Sequence, residues 1–104
     1  MNPVTVFAPI RLAEGKTEND LIAASEKFQA QFVSLQAGVL RRELIRTGSG
    51  EYIDIVQFRS EEDAVKVIEA EMTSPACHEF FSVMDIDDTD GGLDFYPSLH
   101  TYEQ

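Results

Sequence analysis

His78 is the side chain in this 104-residue sequence best suited to proton transfer near neutral pH. An unperturbed imidazole has a pKa of about 6.5, so it exchanges a proton in the physiological range. On a helical wheel His78 lies at the margin of an apolar stripe that includes Cys77 and Phe80. From that margin it could reach a pocket between a helix and a sheet. We therefore predict a catalytic acid/base role for His78; the alternative is a boundary histidine that caps a carbonyl or faces water.

Arginines are concentrated on the predicted strands, although the chain as a whole is acidic: Arg11, Arg41, Arg42, Arg46 and Arg59. A strand arginine that faced inward would anchor a carboxylate or phenolate ligand, because guanidinium groups donate paired hydrogen bonds to oxygen anions. The alternative is ordinary pairing with Glu43, Glu51 or Asp54 across neighbouring strands. Arg11 is the predicted anion anchor.

Aromatic side chains provide the predicted walls of a ligand pocket. The residues predicted to form these walls are Phe7, Tyr52, Phe58 and Phe81. A planar aromatic ligand would suit a cavity of this composition. Aromatic residues at core spacing usually pack only with one another, and that alternative stays open.

Other reactive patterns are weak. The single cysteine, Cys77, lies on an apolar helical stripe and is predicted to be a buried, inert thiol. The acidic segment 85–92 does not match the spacing of a calcium-binding EF-hand loop. The sequence shows no glycine-rich phosphate loop and no zinc-type Cys/His spacing. We therefore predict neither a metal site nor a cofactor.

Composition restricts the class of protein. Acidic residues outnumber basic ones by 19 to 8, and the formal charge is −11, which disfavours binding to nucleic acids and to anionic membrane surfaces. No apolar run approaches the roughly 18 residues of a membrane span, and no signal peptide is evident. An apolar fraction of 43% is ordinary for a globular protein. We expect one domain over residues 1–104 and, by default, a cytoplasmic location.

The elements that would position these side chains follow a β-α-β-β-α-β order. Thr17 is a good N-cap for a long amphipathic helix that ends near Gly38. Residues 48–50 read Gly-Ser-Gly, which is typical of a hairpin turn. A second helical region begins after Ser60 and restarts at Ser74-Pro75. The predicted strands are 4–12, 39–47, 51–59 and 93–102. The expected fold is an α+β, ferredoxin-like, four-stranded antiparallel sheet with helices on one face.

Two of the predicted strands are apolar on both faces. In the first strand Val4, Val6 and Ile10 share one face and Phe7 lies on the other. In the third, Ile53 and Ile55 oppose a face formed by Tyr52, Val56 and Phe58. Helices on one side of a sheet cover only one of its faces. The other face is expected to meet a second copy of the chain in a homodimer.

Four segments carry a resemblance to a known family: V-T-V-F-A-P-I-R-L, Q-A-G-V-L-R-R-E-L, I-V-Q-F-R-S-E-E-D-A and S-P-A-C-H-E-F-F. The chain resembles the dimeric α/β-barrel superfamily, and within it the antibiotic-biosynthesis-monooxygenase-like group. The resemblance implies a ligand cavity between sheet and helices, and two sheets packed face to face. His78 resembles in position the iron ligand of the haem-degrading branch. That branch also needs a first-strand asparagine and a tryptophan, whereas this chain has only Asn2 there and no tryptophan.

Two functions are consistent with these patterns. The first is a cofactor-independent monooxygenase, or a related enzyme, acting on an aromatic or quinone-like substrate, with His78 as its acid/base. Such a substrate reacts with oxygen once it is deprotonated, and the protein supplies a base and a dry pocket. The second is a non-catalytic dimer of the same fold that binds a small ligand or acts as an interaction module.

Overall fold

The computed structural model describes residues 3–85, 94–102 and 104, and this part of the chain forms four strands and three helices. Their bounds are β1 (Val4–Arg11), α1 (Glu18–Gln31), β2 (Val39–Gly48), β3 (Glu51–Phe58), α2 (Glu61–Glu71), α3 (Pro75–Phe81) and β4 (Asp94–Pro97), with a 3-10 turn at Val33–Leu35 after α1. The predicted order of elements and the α+β class are confirmed. No described helix combines the length and the apolar composition of a membrane span.

The strands form one antiparallel sheet in the order β2-β3-β1-β4. β1 pairs with β3 along its whole length, whereas its described pairing with β4 covers only Val4 to Phe7. Pro9 lies past the end of that described pairing.

The two faces of the sheet differ as the alternation of apolar residues predicted. The helix face carries Val4, Val6, Ile10, Tyr52 and Phe58, which are buried in one core with residues of all three described helices. The open face lies on the other side of the sheet and carries the half-buried residues Phe7, Ile45, Ile53 and Ile55.

The helices begin at side-chain caps. Thr17 accepts a hydrogen bond from the backbone N–H of Asp20, and the Asp20 carboxylate accepts one from the N–H of Thr17, which completes a capping box. The side chains of Ser60 and Ser74 likewise accept a hydrogen bond from a backbone N–H in the first turn of α2 and α3. Pro75 follows at the first helical position, where its missing N–H leaves no helical bond unmade.

A bulge near the start of β2 determines which of its side chains face the helices. Val39 pairs with Phe58 and Arg41 with Gln57, so Leu40 is an extra residue without a register partner. The extra residue reverses the alternation, and Val39 and Arg42 therefore both lie on the helix face. Without the bulge, Arg42 would point to the open face.

Gly38, just before the bulge, allows β2 to approach α2 closely. Its carbonyl accepts a hydrogen bond of 2.7 Å from the N–H of Arg59. A Cβ atom at Gly38 would lie 2.7 Å from the Cβ of Asp63, which is closer than such atoms approach one another. Glycine is therefore required there for steric reasons.

Candidate functional site

A buried ion pair joins β2 to β3 beneath the helices. Arg42 Nε lies 3.4 Å from Asp54 Oδ1, and only 7% and 8% of the two side chains are exposed. Both residues lie on the helix face, where Asp54 is flanked by the buried Tyr52 and the half-buried Val56. Charges this deep in a protein are costly unless they are paired, so each side chain requires the other.

Arg42 also ties two helices to the sheet. Its Nη2 group donates to the carbonyl oxygen of Ser25 in α1 at 3.2 Å and to the Ser25 hydroxyl. Its guanidinium carbon lies 5.2 Å from the centre of the Phe28 ring and 5.5 Å from that of Phe80, at cation–π distance. The two rings stack on each other at 4.8 Å. Arg42 is thus held in a site walled by aromatic rings.

Hydrogen bonding at this ion pair is incomplete within the described part of the chain. There, Arg42 Nη1 and Asp54 Oδ1 are buried and have no hydrogen-bond partner. Leaving such a group unsatisfied costs about 1–3 kcal/mol. The site therefore offers one strong donor and one strong acceptor to a group that could use both.

A third charged side chain, Glu71, reaches the same region from the end of α2. Burial and the negative charge of Asp54 raise the pKa of Glu71 to about 7, and the charge of Arg42 opposes this change. The pKa of Asp54 is itself raised to about 6, because burial outweighs the effect of Arg42. We call Arg42, Asp54 and Glu71 the interior cluster. With two carboxyl groups and one guanidinium, it retains or releases a proton close to neutral pH, as an acid/base group must.

Cys77 lies beside this cluster but is not poised to react. It is fully buried, as the sequence predicted. Burial and the nearby Glu71 raise the pKa of its thiol to about 12. Because the thiolate is the nucleophilic form, Cys77 is inert at neutral pH.

A second group of charges lies at the end of the sheet, between β2, β3 and the start of α1. Arg46 donates two hydrogen bonds to the Glu18 carboxylate, at 2.6 and 2.8 Å, and the Tyr52 hydroxyl donates a third at 3.2 Å. The Arg46 bonds keep the pKa of Glu18 below its ordinary value, whereas burial and the adjacent Glu18 raise the pKa of Tyr52. We call these three residues the rim cluster. Unlike the interior cluster, it is well hydrogen-bonded, and the side chains of Arg46 and Glu18 are 64% and 35% exposed, although Tyr52 is buried.

A depression of about 310 Å³ lies beside the rim cluster, at the end of β1 and the start of β3. Its lining residues are Pro9, Ile10, Arg11, Thr47, Glu51, Tyr52, Ile53 and Asp85. One cationic and two acidic side chains border it, so its charge does not single out an anionic ligand.

His78 lies on the surface of α3. Its side chain is exposed, and Nε2 is 2.8 Å from the carbonyl oxygen of Met72. This contact joins the start of α3 to the end of α2, and it corresponds to the carbonyl-capping alternative considered for this residue. An acid/base role for His78 stays a prediction.

The structure does not bring the other predicted site residues into one pocket. Tyr52 and Phe58 are buried on the helix face, and Phe81 is half-buried against the same core. Phe7 lies on the open face, where its ring meets Tyr96 edge-on at 5.3 Å, and Arg11 is exposed on that face. Tyr52, Phe58 and Phe81 therefore border the sheet–helix interior, whereas Phe7 and Arg11 do not.

The interior cluster was not singled out from the sequence, although two of its members left a signal. Asp54 occupies the same parity of β3 as Tyr52 and Phe58, where an apolar residue is expected. Glu71 continues the helical spacing of the buried Ala64 and Val67. A charged residue at a core position is the informative exception in such a pattern. The sequence-based alternative of an Arg–Asp54 pair is confirmed for Arg42.

Comparisons with known proteins agree with this architecture. No protein-family model and no curated protein matches the sequence. Among solved structures, the cofactor-independent oxygenase SnoaB from Streptomyces nogalater matches with a TM-score of 0.73 and 12% identity over 100% of both chains. A candidate antibiotic biosynthesis monooxygenase from Caulobacter crescentus matches with a TM-score of 0.67 and 14% identity, over 97% of this chain and 92% of its own.

A third similar structure is PA3566 from Pseudomonas aeruginosa, with a TM-score of 0.59 and 19% identity over 96% of this chain and 97% of that one. Identities this low establish a shared architecture, and the chemistry has to be argued from the site. The resemblance found in the sequence motifs is thereby confirmed at the level of the fold: the chain shares its α+β, ferredoxin-like fold with a cofactor-independent oxygenase and with candidate antibiotic biosynthesis monooxygenases.

Proposed function

We propose that this protein is a cofactor-independent monooxygenase, or a related small-molecule enzyme, that acts on an aromatic or quinone-like substrate between the sheet and the helices. The observation that carries the proposal is the interior cluster. Within an aromatic core it presents Arg42 Nη1 and Asp54 Oδ1, which are buried and have no hydrogen-bond partner among the described residues. The likeness to a cofactor-independent oxygenase supports the type of reaction.

The chemistry requires few groups from the protein. A substrate that reacts with oxygen after losing a proton needs a base, a means of stabilising the resulting anion, and exclusion of water. The carboxyl groups of Asp54 and Glu71 can accept a proton near neutral pH, and Arg42 supplies the positive charge. His78 is the competing base proposed from the sequence. Tyr52 and Phe58 are the proposed pocket walls whichever base acts.

Oxygen uptake tests this proposal directly. The purified protein would be incubated with hydroquinones, naphthols and anthrones while dissolved oxygen is recorded. We expect consumption with at least one of these compounds, strongly reduced in Asp54→Asn. The matched control is Glu43→Gln, an exposed carboxylate on β2 that pairs with Arg41. No consumption by wild-type protein that binds the same compounds would contradict the proposal.

The same assay separates the two candidate bases. If the carboxyl groups of the interior cluster act as the base, His78→Ala keeps its activity because its side chain contacts a surface carbonyl. If His78 is the base, His78→Ala is inactive and Asp54→Asn retains turnover. Circular dichroism of each variant shows whether a loss of activity is a loss of folding.

We further propose that the active form is a homodimer in which a second copy covers the open face. The support is the row of apolar residues on that face, including Phe7, Ile45 and Ile55, which lies opposite all three described helices. We expect a dimer by light scattering at micromolar concentration, and a monomer for Ile55→Lys. Val65→Lys, on an exposed site of α2, is the control that should remain dimeric.

A non-catalytic ligand-binding or interaction dimer is the second candidate, and a specific observation favours it. Phe28 and Phe80 stack against each other and against the Arg42 guanidinium, and Phe32 extends the stack at 5.4 Å from Phe28. Rings packed this closely restrict access to the interior cluster. Ligand-induced thermal stabilisation without oxygen consumption, equal in wild type and Asp54→Asn, would support this second function.

A further inference from the structure

We infer that Asp54 is the proton acceptor for an acidic hydroxyl group on the ligand, and that Arg42 binds the oxyanion left behind. This inference rests on the proposed function, because it assigns the base and the ligand chemistry of the same site. It also predicts an observable that needs no oxygen: the ligand ionises when it binds.

The geometry of the interior cluster supports this pairing of roles. Asp54 Oδ1 and Arg42 Nη1 belong to one ion pair, are buried, and have no hydrogen-bond partner among the described residues. A hydroxyl group donates a hydrogen bond to an acceptor and accepts one from a donor, so it can satisfy both atoms at once. A simple anion would satisfy Arg42 but would be repelled by Asp54 and Glu71.

The transfer balances without another reactant. The O–H bond of the ligand breaks, its proton forms an O–H bond with the Asp54 carboxylate, and the electron pair remains on the ligand oxygen. The negative charge thus moves from Asp54 to the ligand while the net charge of the site is unchanged. Arg42 then pairs with the oxyanion instead of with Asp54, which avoids leaving a buried guanidinium uncompensated.

The acidity of the ligand limits which compounds can take part. A simple phenol has a pKa of about 10, and the pKa of Asp54 is about 6, so transfer from phenol is disfavoured by a factor of about ten thousand before Arg42 contributes. Hydroxyl groups conjugated to a carbonyl or nitro group are more acidic. We therefore expect the site to ionise such hydroxyls and to leave plain phenol neutral.

Among the described residues, two charged groups act at Asp54 or beside it: Arg42 faces it from β2, and Glu71 lies near it at the end of α2. The charge of Glu71 also acts on the Cys77 thiol of α3. Helix α1 contributes Ser25, whose oxygens accept hydrogen bonds from Arg42. Of the two carboxyl groups, Asp54 is the one in contact with Arg42, whereas Glu71 acts on the site through its charge. We therefore assign the proton to Asp54 and not to Glu71.

The probe for this inference is 4-nitrophenol, whose phenolate absorbs visible light at a longer wavelength than the neutral form. Difference spectra would be recorded at about pH 6, where most of the free probe is neutral and part of Asp54 is ionised. We expect bound 4-nitrophenolate with the wild-type protein and neutral bound probe with Asp54→Asn. Glu43→Gln, an exposed carboxylate on the same sheet, should behave as wild type.

Two more variants keep the test decisive if Asp54→Asn does not fold. Glu71 has a pKa of about 7 and is mostly neutral at about pH 6, so Glu71→Gln should leave the pH midpoint for bound phenolate nearly unchanged. Arg42→Lys should raise that midpoint, while Arg41→Lys, on an exposed neighbour, should leave it unchanged.

Failure of this inference differs from failure of the proposed function. Absence of binding, or neutral bound probe with wild-type protein across the pH range, overturns the role of Asp54 even if oxygen is consumed with other compounds. An unchanged midpoint in Arg42→Lys overturns it as well. Phenolate formation that depends on Asp54 supports it, even if no compound tested for oxygen uptake is turned over.

Discussion

The interior cluster and the rim cluster use the same kinds of side chain to opposite effect. Each contains an arginine from β2 and a carboxylate from another element, but Arg46 and Glu18 share two short hydrogen bonds at an exposed position. Arg42 and Asp54 meet in the core at 3.4 Å and leave a donor and an acceptor unpartnered within the described residues. The first arrangement fastens two elements together, whereas the second retains the capacity to bind.

The pKa values of the carboxyl groups record this difference. Hydrogen bonds from Arg46 lower the pKa of Glu18, whereas burial raises the pKa of Asp54 to about 6 despite the neighbouring Arg42. Water solvates the ionised carboxyl group at the rim, whereas the core provides no such solvation and so disfavours the ionised form. The pKa values of the two carboxyl groups therefore shift in opposite directions because of their surroundings: Glu18 lies partly in solvent, and Asp54 lies in the core.

The largest expected effect comes from removing one partner of the buried pair. Asp54→Ala leaves Arg42 buried and uncompensated, so we expect the free energy of unfolding to fall by about 3–5 kcal/mol. Urea unfolding at fixed protein concentration measures it. Glu18→Ala is the matched control at the rim and should lose much less. Equal losses for the two variants would remove the distinction between the clusters.

Replacing both partners tests whether the buried pair is retained for stability. In Arg42→Met/Asp54→Leu no buried charge is left unpaired, so most of the loss in Asp54→Ala should be recovered. The measurement is the same urea titration, with the double variant compared against each single one. Recovery of stability together with loss of 4-nitrophenol ionisation would indicate that the pair serves ligand binding. A double variant as unstable as Asp54→Ala would indicate a structural requirement for the pair.

The pH dependence of stability should also separate the clusters. The folded-state pKa values of Asp54 and Glu71 lie above their ordinary values of 3.8 and 4.5, at about 6 and about 7. Their contribution to stability is therefore full below about pH 4 and is lost as pH rises through about 6 to 7. We expect thermal stability to decline between about pH 4 and pH 7 in wild type, and less steeply in Glu71→Gln. Identical slopes would show that Glu71 is not held at a raised pKa.

The carboxylates Glu18 and Asp63 affect stability in the opposite direction, and they do so at lower pH. The pKa values of Glu18 and Asp63 are lowered by their arginine partners, so their stabilisation is present near neutral pH and is lost as pH falls below about 4. Acid unfolding below that value should therefore be sensitive to Glu18→Gln, whereas the decline above pH 5 should not.

The smallest expected effect is at the rim itself. Arg46→Ala removes an exposed ion pair that is screened by salt, so the urea midpoint should shift slightly at low ionic strength and hardly at all at about 1 M salt. Lys66→Ala, which breaks an exposed pair with Glu62 on α2, is the comparison variant. A large, salt-independent loss in Arg46→Ala would show that the rim cluster behaves as a buried site.

The predicted elements were largely those of the structure because local signals specify them. Thr17, Ser60 and Ser74 begin the helices as expected, and the two parities of β1 and β3 correspond to the two faces of the sheet. The last strand was predicted over 93–102, whereas the described strand is Asp94–Pro97. Residue 93 lies outside the described residues, as does most of the acidic segment 85–92 considered for calcium.

The predicted site was less well located because it depends on contacts between distant segments. Phe7 and Arg11 share a strand with buried residues but face away from the helices. His78 lies at the edge of its apolar stripe. At such an edge a small rotation about the helix axis moves a side chain from the interior to the surface, and residue spacing does not resolve so small a rotation. Its observed contact is with the carbonyl of Met72.

The sequence by itself determined the order of elements, their caps, the two faces of the sheet and the inertness of Cys77, because each depends on neighbouring residues or on a regular period. Only the tertiary structure decided that Arg42 faces the core, since this follows from one extra residue, Leu40, in the register of β2 with β3. It also brought Asp54 and Glu71 close enough for their charges to interact. Local periodicity carries no information about such register shifts and helix placements, because they arise from packing between elements.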